Sequence, residues 1–453
     1  MKKNCLLYIL LILIFYSVPI SAKTIDWSTT LNQIIENSYD LQLSKVDIDI
    51  SKANILGARS EYFPKIYMYA YNEYNKALGE GFNQTTYIGN EIIYGDNIYQ
   101  NALALGLNYN LWDFGIRGDN LKIAKKDNIS KKATYYKSLR DIELEAVELY
   151  AKILTLHKEI LIKTELLDVQ KELYSIKSRL NKSGQIDKTK EVSENIKIVE
   201  LENNIDKLKN DYIKSLKDLS YYSRQDYEEN DIPSDFIIED QENFIPVNNV
   251  LKASVEETSF FNIEESPEYK IYEAEIEKKN RELAIAKKKN LPQFTFSTNY
   301  YLYGSDLSSY SHSYDNFGQR GLKFRLTTYL PIFDGLKNKS ERDKLKLEII
   351  RLEIEKEQKL ADLKRNFQKI KTDADYSKRQ LINNKKMLDL VESNISMLDR
   401  LDENKLIDKE SYLNEKIKLL TQKFEVQSAH ISDYTAAYKM NVINKYENEI
   451  GNI

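Results

Sequence analysis

The sequence predicts a mainly α-helical chain: long helical hairpins carrying four β-strands that can close a small barrel only with further copies. Three observations predict it. The 453 residues are 30% charged yet hold only 14 Gly and 7 Pro, a composition of long uninterrupted elements. Apolar residues recur at steps of three and four over stretches too long for a globular helix. Four segments alternate apolar and polar residues, and they hold much of the aromatic content, which includes 33 Tyr.

Taken in order, Lys2 and Lys3 precede an apolar run from Leu6 to Phe15, and Ser21-Ala22 offers a small-residue cut. This reads as a signal peptide over residues 1–22, the run being shorter than the ~20 residues a spanning helix needs. Cys5 lies ahead of the run, too early for a lipidated N-terminus. As the sole cysteine it excludes an internal disulfide. With 66 basic and 70 acidic residues there is no basic footprint for nucleic acid.

Short helices are predicted at Thr29–Arg59 and Pro267–Lys289. Leu139, Ile142, Ala146, Leu149, Ile153, Leu156 and Ile160 form a helix-packing stripe, and the segment from about Leu121 to Asn181 would run ~90 Å at 1.5 Å per residue. A second stripe is Leu201, Ile205, Leu208, Tyr212, Leu216, Leu219. In the second half, Leu360 to Leu398 and Leu413 to Tyr438 keep the same rhythm.

The strand segments are Tyr67–Tyr71, Ala102–Tyr109, Gln293–Tyr300 and Leu322–Thr327. Each has one apolar or aromatic face and one more polar face, as in a transmembrane strand or a half-buried sheet. Gly-containing stretches Asn75–Tyr99 and Tyr303–Gly321 read as exposed hairpin loops. Lys323 and Arg325 would face a lumen if Leu322, Phe324 and Leu326 face lipid.

The halves repeat. Ala58–Ile66, through Pro64, is matched by Ala286–Phe294, through Pro292. Leu111–Gly115 is matched by Pro331–Gly335, and Arg179–Lys188 by Arg400–Lys409. Asp113 and Asp334 are 221 positions apart, as are Asp187 and Asp408. The organisation expected is a signal peptide at 1–22, a first repeat at 23–220 with its β-hairpin at about 65–111, and an inter-repeat linker at 221–266. A second repeat follows at 267–447, with its hairpin at about 293–331, and a tail at 448–453. Two hairpins give four strands per chain. An open edge is intolerable in lipid, so closure needs several chains, and a three-fold ring would have twelve strands.

On Phe63-Pro64, Leu291-Pro292, Trp112-Asp113-Phe114-Gly115, Pro331-Ile332-Phe333-Asp334-Gly335 and Arg179–Ile186, the chain resembles the TolC-like outer-membrane efflux proteins over its mature length. The resemblance implies a homotrimer in the outer membrane of a Gram-negative envelope, with a 12-stranded barrel continued by a periplasmic helical tunnel. It would dock an inner-membrane transporter and a periplasmic adaptor, in drug efflux or type I secretion, and contact outer-membrane lipid. The alternative is a soluble periplasmic coiled-coil adaptor or structural protein of the envelope.

No catalytic, cofactor-binding or metal-binding constellation is expected; His157, His312 and His430 are scattered. The strand-to-helix corners are Pro64, Asp113, Gly115, Pro292, Pro331, Asp334 and Gly335, with Asp113 suited to cap a helix and Gly115 to relieve a tight turn. The resemblance places the turns at Gly184 and Lys405 at the periplasmic tip. There Asp187 and Asp408 could cap the next helices, and Arg179, Arg400, Asp402, Asp187 and Asp408 could form polar links that hold the tip shut.

Overall fold

A computed structural model describes residues 23–76, 78, 84–88, 91–95, 97–236 and 263–450. The signal peptide, most of the expected linker and the last residues of the tail lie outside them. The elements run β1 (Thr24–Ile25), α1 (Trp27–Asn37), α2 (Tyr39–Ser60), β2 (Lys65–Lys76), β3 (Gln84–Ile88), β4 (Glu91–Gly95) and β5 (Asn97–Trp112). Next come α3 (Ile116–Lys182), α4 (Lys188–Ser223), β6 (Ile232–Pro233), α5 (Pro267–Lys288), β7 (Gln293–Asp306) and α6 (Tyr310–Asp315). β8 (Gln319–Tyr329), α7 (Lys337–Glu403) and α8 (Lys409–Ile450) complete the chain.

α3 and α7 are each 67 residues long and begin 221 positions apart, so the repeat extends from motif to whole element. Two expectations need correction. The helix expected over Thr29–Arg59 is two helices, broken at Ser38, whose extended backbone ends α1 while its hydroxyl accepts the Leu41 amide at 3.3 Å. The expected loops also carry structure: β3 and β4 pair antiparallel within the first, and α6 sits in the second.

The chain divides into two compact units, to both of which α2, α3 and α7 contribute. One holds Val46–Ala133 and Glu268–Lys359. Its sheet has the order β2-β5-β7-β8, antiparallel throughout, so β2 and β8 are the end strands. The helical segments of this unit follow the same order and are joined mainly by polar contacts. Lys131 pairs with Asp47 at 3.0 Å (α3 to α2), Lys278 with Asp127 at 2.7 Å (α5 to α3) and Lys279 with Glu348 at 3.2 Å (α5 to α7). The sheet thus continues strand by strand into a layer of helices.

The other unit holds the described residues up to Lys45, Thr134–Pro267 and the chain from Leu360. Two apolar clusters organise it. Trp27, Val147, Tyr150, Ile153, Leu216, Leu219, Tyr438 and Tyr446 lie in the first. Ile162, Leu173, Leu398, Leu413 and Leu420 lie in the second, where α3, α7 and α8 meet near the helical turns. These are largely the stripe residues, buried because each stripe has a facing stripe to interdigitate with.

The candidate channel surfaces and the helical tips

Pairing register decides what the sheet can do, because partners across strands share a face. One face carries the rows Lys65–Asn108–Ser297–Arg325 and Tyr67–Gly106–Asn299–Lys323. The other carries Ile66–Leu107–Thr298–Phe324 and Met68–Leu105–Tyr300–Leu322. Lys323 and Arg325 are therefore on the polar face, opposite Leu322, Phe324 and Leu326. The tyrosine row joins that polar face. Tyr67, Tyr69 and Tyr71 stack along β2 and lie over the small residues of β5. A Cβ at Gly106 would come within 2.4 Å of the Tyr67 ring, so only glycine leaves room for it; Tyr67 Oη donates to Asn299 Oδ1 at 3.2 Å.

The corners show why these residue types stand where they do. α2 and α5 end at Ser60 and Lys288, and the strands open directly after Pro64 and Pro292. Pro331 follows β8 in the corresponding bend. The buried Asp113 carboxylate accepts the Gly115 and Arg117 amides, each at 3.0 Å, and the Arg117 guanidinium at 2.9 Å. Asp334 accepts the Asn338 amide at 2.8 Å. Both corners turn through two consecutive left-handed residues, Phe114–Gly115 and Gly335–Leu336. At the 221-residue offset Phe114 corresponds to Gly335 and Gly115 to Leu336. The glycines thus occupy successive positions of one turn, whereas the motif alignment set them against each other.

The helical tips close in the same way in both copies. Gly184 and Lys405 take φ of 73° and 56°. Gly184 N donates to Asn181 O and Gln185 N to Leu180 O, both at 2.9 Å; Lys405 N and Leu406 N repeat the pair to Asp402 O and Leu401 O at the same distance. This is the Schellman closure, natural for glycine and strained for lysine. Asp408 accepts the Ser411 amide at 2.9 Å and caps α8. Asp187 stands at the N-terminus of α4 without a side-chain cap bond, which corrects the expectation for that residue.

The expected polar links are also redistributed. Among the described residues Arg179 and Arg400 have no ion-pair partner, while Asp402 pairs with Lys409 at 2.8 Å. Lysines with no local sequence signature supply the rest. From α3 to α8 run Lys177–Glu410, Glu172–Lys409 at 3.4 Å and Glu165–Lys416 at 4.0 Å. Asp399 on α7 holds Lys416 at 3.2 Å and accepts the Tyr412 hydroxyl at 2.7 Å. Hydrogen bonds to Asp402 raise the Lys409 pKa, and those to Tyr412 and Asp399 raise that of Lys416 against the opposing effect of burial. Both ammonium groups stay charged across the physiological range.

Further along α8, Asp433 is buried beside a groove of about 490 Å³ lined by Glu148, Lys152, Tyr376 and Lys439. Its carboxylate accepts Asn384 Nδ2 at 2.8 Å, yet burial pushes its pKa above the ordinary carboxylate value. The folded pKa therefore exceeds the unfolded one, and the fold penalises the ionised form. From just above the unfolded value of about 3.9 up to the raised value, the contribution of Asp433 to stability is expected to fall as pH rises. Asp433→Asn should therefore gain stability relative to the wild type as pH rises through that window, and match or exceed it at neutral pH. Thermal unfolding followed by circular dichroism across mildly acidic to neutral pH checks it, and a wild-type-to-variant difference that does not change with pH contradicts it.

No curated protein matches the chain in sequence. Residues 30–221 match the protein-family model described as Outer membrane efflux protein. The fold of the whole chain agrees with that family. The Campylobacter jejuni CmeC outer membrane channel is 14% identical, with a TM-score of 0.68 over 94% of this chain and 89% of that one. The outer membrane protein VceC of Vibrio cholerae is 12% identical, with a TM-score of 0.66 over 92% and 95%. CusC, in a structure concerned with transmembrane channel formation, is 13% identical, with a TM-score of 0.65 over 93% and 95%. The chain thus has the fold of outer-membrane channels, and its residues 30–221 match a family of the outer membrane. Among the described residues no helix is long and apolar enough to cross a membrane, and no group of side chains could hold a metal ion.

Proposed function

We propose that the chain is the outer-membrane duct of a tripartite efflux or type I secretion system. Three copies join β8 of one to β2 of the next in a twelve-stranded barrel, and their helices enclose a periplasmic tunnel. An inner-membrane transporter and a periplasmic adaptor deliver the substrate, and the duct itself does no chemistry. One observation carries this reading: a four-stranded sheet with a polar face, an apolar face and two end strands left open. In hydrocarbon every strand edge must be paired, and identical copies around an axis pair them all. Lys65, Lys323 and Arg325 then line the lumen, and the lysine-linked helical turns form the tip that closes the tunnel.

A soluble envelope adaptor shares the helical hairpins but has no use for a sheet exposed on its apolar face. Fractionation of the envelope separates the two. The duct reading expects detergent-requiring trimers in the outer membrane that conduct ions in a planar bilayer. A monomer that stays in plain buffer refutes it.

A further inference from the structure

The hairpin loop between β7 and β8 does not arch away from the sheet. It folds back as α6 onto the face that carries Leu103, Leu105 and Leu107. Asn101, which shares a register row with Asn72 and Gly304, donates to the Ser313 hydroxyl and to the Tyr310 carbonyl at 3.4 Å. Tyr314 Oη donates to Asn72 at 3.1 Å. A Cβ on Gly304 would lie 2.1 Å from Ser313 O, so glycine is what lets the helix approach this closely. Ser313 is buried under the contact, while Tyr310, Tyr314 and Phe317 remain exposed. Tyr310 meets Tyr99 edge to face at 5.0 Å, and Tyr99 meets Tyr74 at 4.7 Å, extending the aromatic surface from α6 over β5 to β2.

Position along the strand fixes the depth of this surface. At the helical end of the same face stand Tyr109, Trp112 and Phe114, the last two in contact at 6.0 Å. Tyr99 and Tyr109 are ten residues apart on β5. At ~3.4 Å per residue and a tilt of ~40° they lie about 26 Å apart along the membrane normal, close to the ~25 Å apolar band that aromatic girdles flank. Arg320 pairs in register with Leu302 and so lies on the apolar face, one row inside α6. It has no ion-pair partner among the described residues. A cation there can satisfy its charge only by reaching toward the membrane surface.

We propose that α6 with Phe317 and Arg320 is an interfacial foot that seats the barrel on the outer leaflet: the aromatic rings enter the headgroup layer and Arg320 binds anionic, phosphate-bearing lipid headgroups. This rests on the duct reading, and the surface continues the apolar face that the reading assigns to lipid. It also means that the second loop stands outside the pore mouth and leaves the lumen clear.

Nitroxide labels at Phe317→Cys, at Phe324→Cys in the apolar band and at Lys190→Cys on α4, all in a Cys5→Ser background, test it. The protein is reconstituted in phosphatidylcholine vesicles with and without phosphatidylglycerol. The expected result is loss of nickel-complex accessibility at position 317 relative to 190, and high oxygen accessibility at 324. Phosphatidylglycerol should slow the label at 317, and Arg320→Gln should abolish that slowing. If 317 is as nickel-accessible as 190 while 324 is in hydrocarbon, the foot is overturned and the duct stands. If 324 is also in water, both fall. Slowing by phosphatidylglycerol that survives Arg320→Gln overturns the role of Arg320 in headgroup binding.

Discussion

Truncating Tyr150 to alanine is expected to cost about 3–5 kcal/mol, the range for losing a large buried aromatic. Its ring is fully buried against Trp27 at 5.2 Å and Phe236 at 5.3 Å. Its hydroxyl lies 2.8 Å from the carbonyl oxygens of both Ile25 and Ser234, sharing one proton between them. Ile25 ends β1 and Ser234 directly follows β6, so one side chain of α3 ties both strands of the short parallel pair at one end. Burial drives the phenol's pKa upward, which keeps the proton in place at any physiological pH. Tyr150→Phe preserves the ring and separates the two contributions. It should cost about 1–3 kcal/mol, because Ser234 O loses the hydroxyl as donor and Ile25 O keeps only the Ser234 amide at 2.9 Å. Chemical denaturation followed by circular dichroism reads both variants. Equal losses for Phe and Ala would mean that the hydroxyl alone matters, contrary to the packing argument.

The second large effect is expected at the tips. Each α3–α8 ion pair is partly exposed and worth at most about 1 kcal/mol by itself. The proposed trimer repeats three pairs three times. At about 0.5 kcal/mol each, and if all break on opening as the proposed gate requires, they bias the closed tip by about 4.5 kcal/mol, roughly two-thousandfold in population. Glu165→Gln, Glu172→Gln and Glu410→Gln together should therefore raise single-channel conductance or open probability strongly in a planar bilayer. Arg179→Gln with Arg400→Gln should do little. Similar effects from the two sets would show that the arginines act across chains and that the lysine ladder is only a structural tie.

The contrast between those two sets shows where sequence reasoning stopped. The turn residues were legible because a left-handed turn and a helix start leave local signatures: Gly184, the Asp-Lys pairs, and a constant offset between copies. Proximity to the turn points to Arg179 and Arg400, but it carries no information about a partner. Lys177, Lys409 and Lys416 find Glu410, Glu172 and Glu165 only because α3 and α8, from different repeats, pack side by side. Nothing local in the sequence records that neighbour.

The same division runs through the sheet. Alternation in Leu103–Tyr109 and Leu322–Thr327 gave each strand two faces, yet it could not say which Tyr67–Tyr71 face was polar. Pairing did that: Tyr67 opposite Gly106 and Asn299 puts the tyrosines with Lys323. The Gly, Ser and Tyr content of Tyr303–Gly321 points only to an exposed loop. Only the contact with Asn101 and Gly304 shows that a helix folds there.

By itself, then, the sequence determined periodicity, breaks and repetition, which fix what each element is and which of its faces must be covered. The tertiary structure alone decided which elements became neighbours. Side-chain pairing across strands and helices depends on register and packing of residues hundreds of positions apart, and those distances carry no local pattern to read.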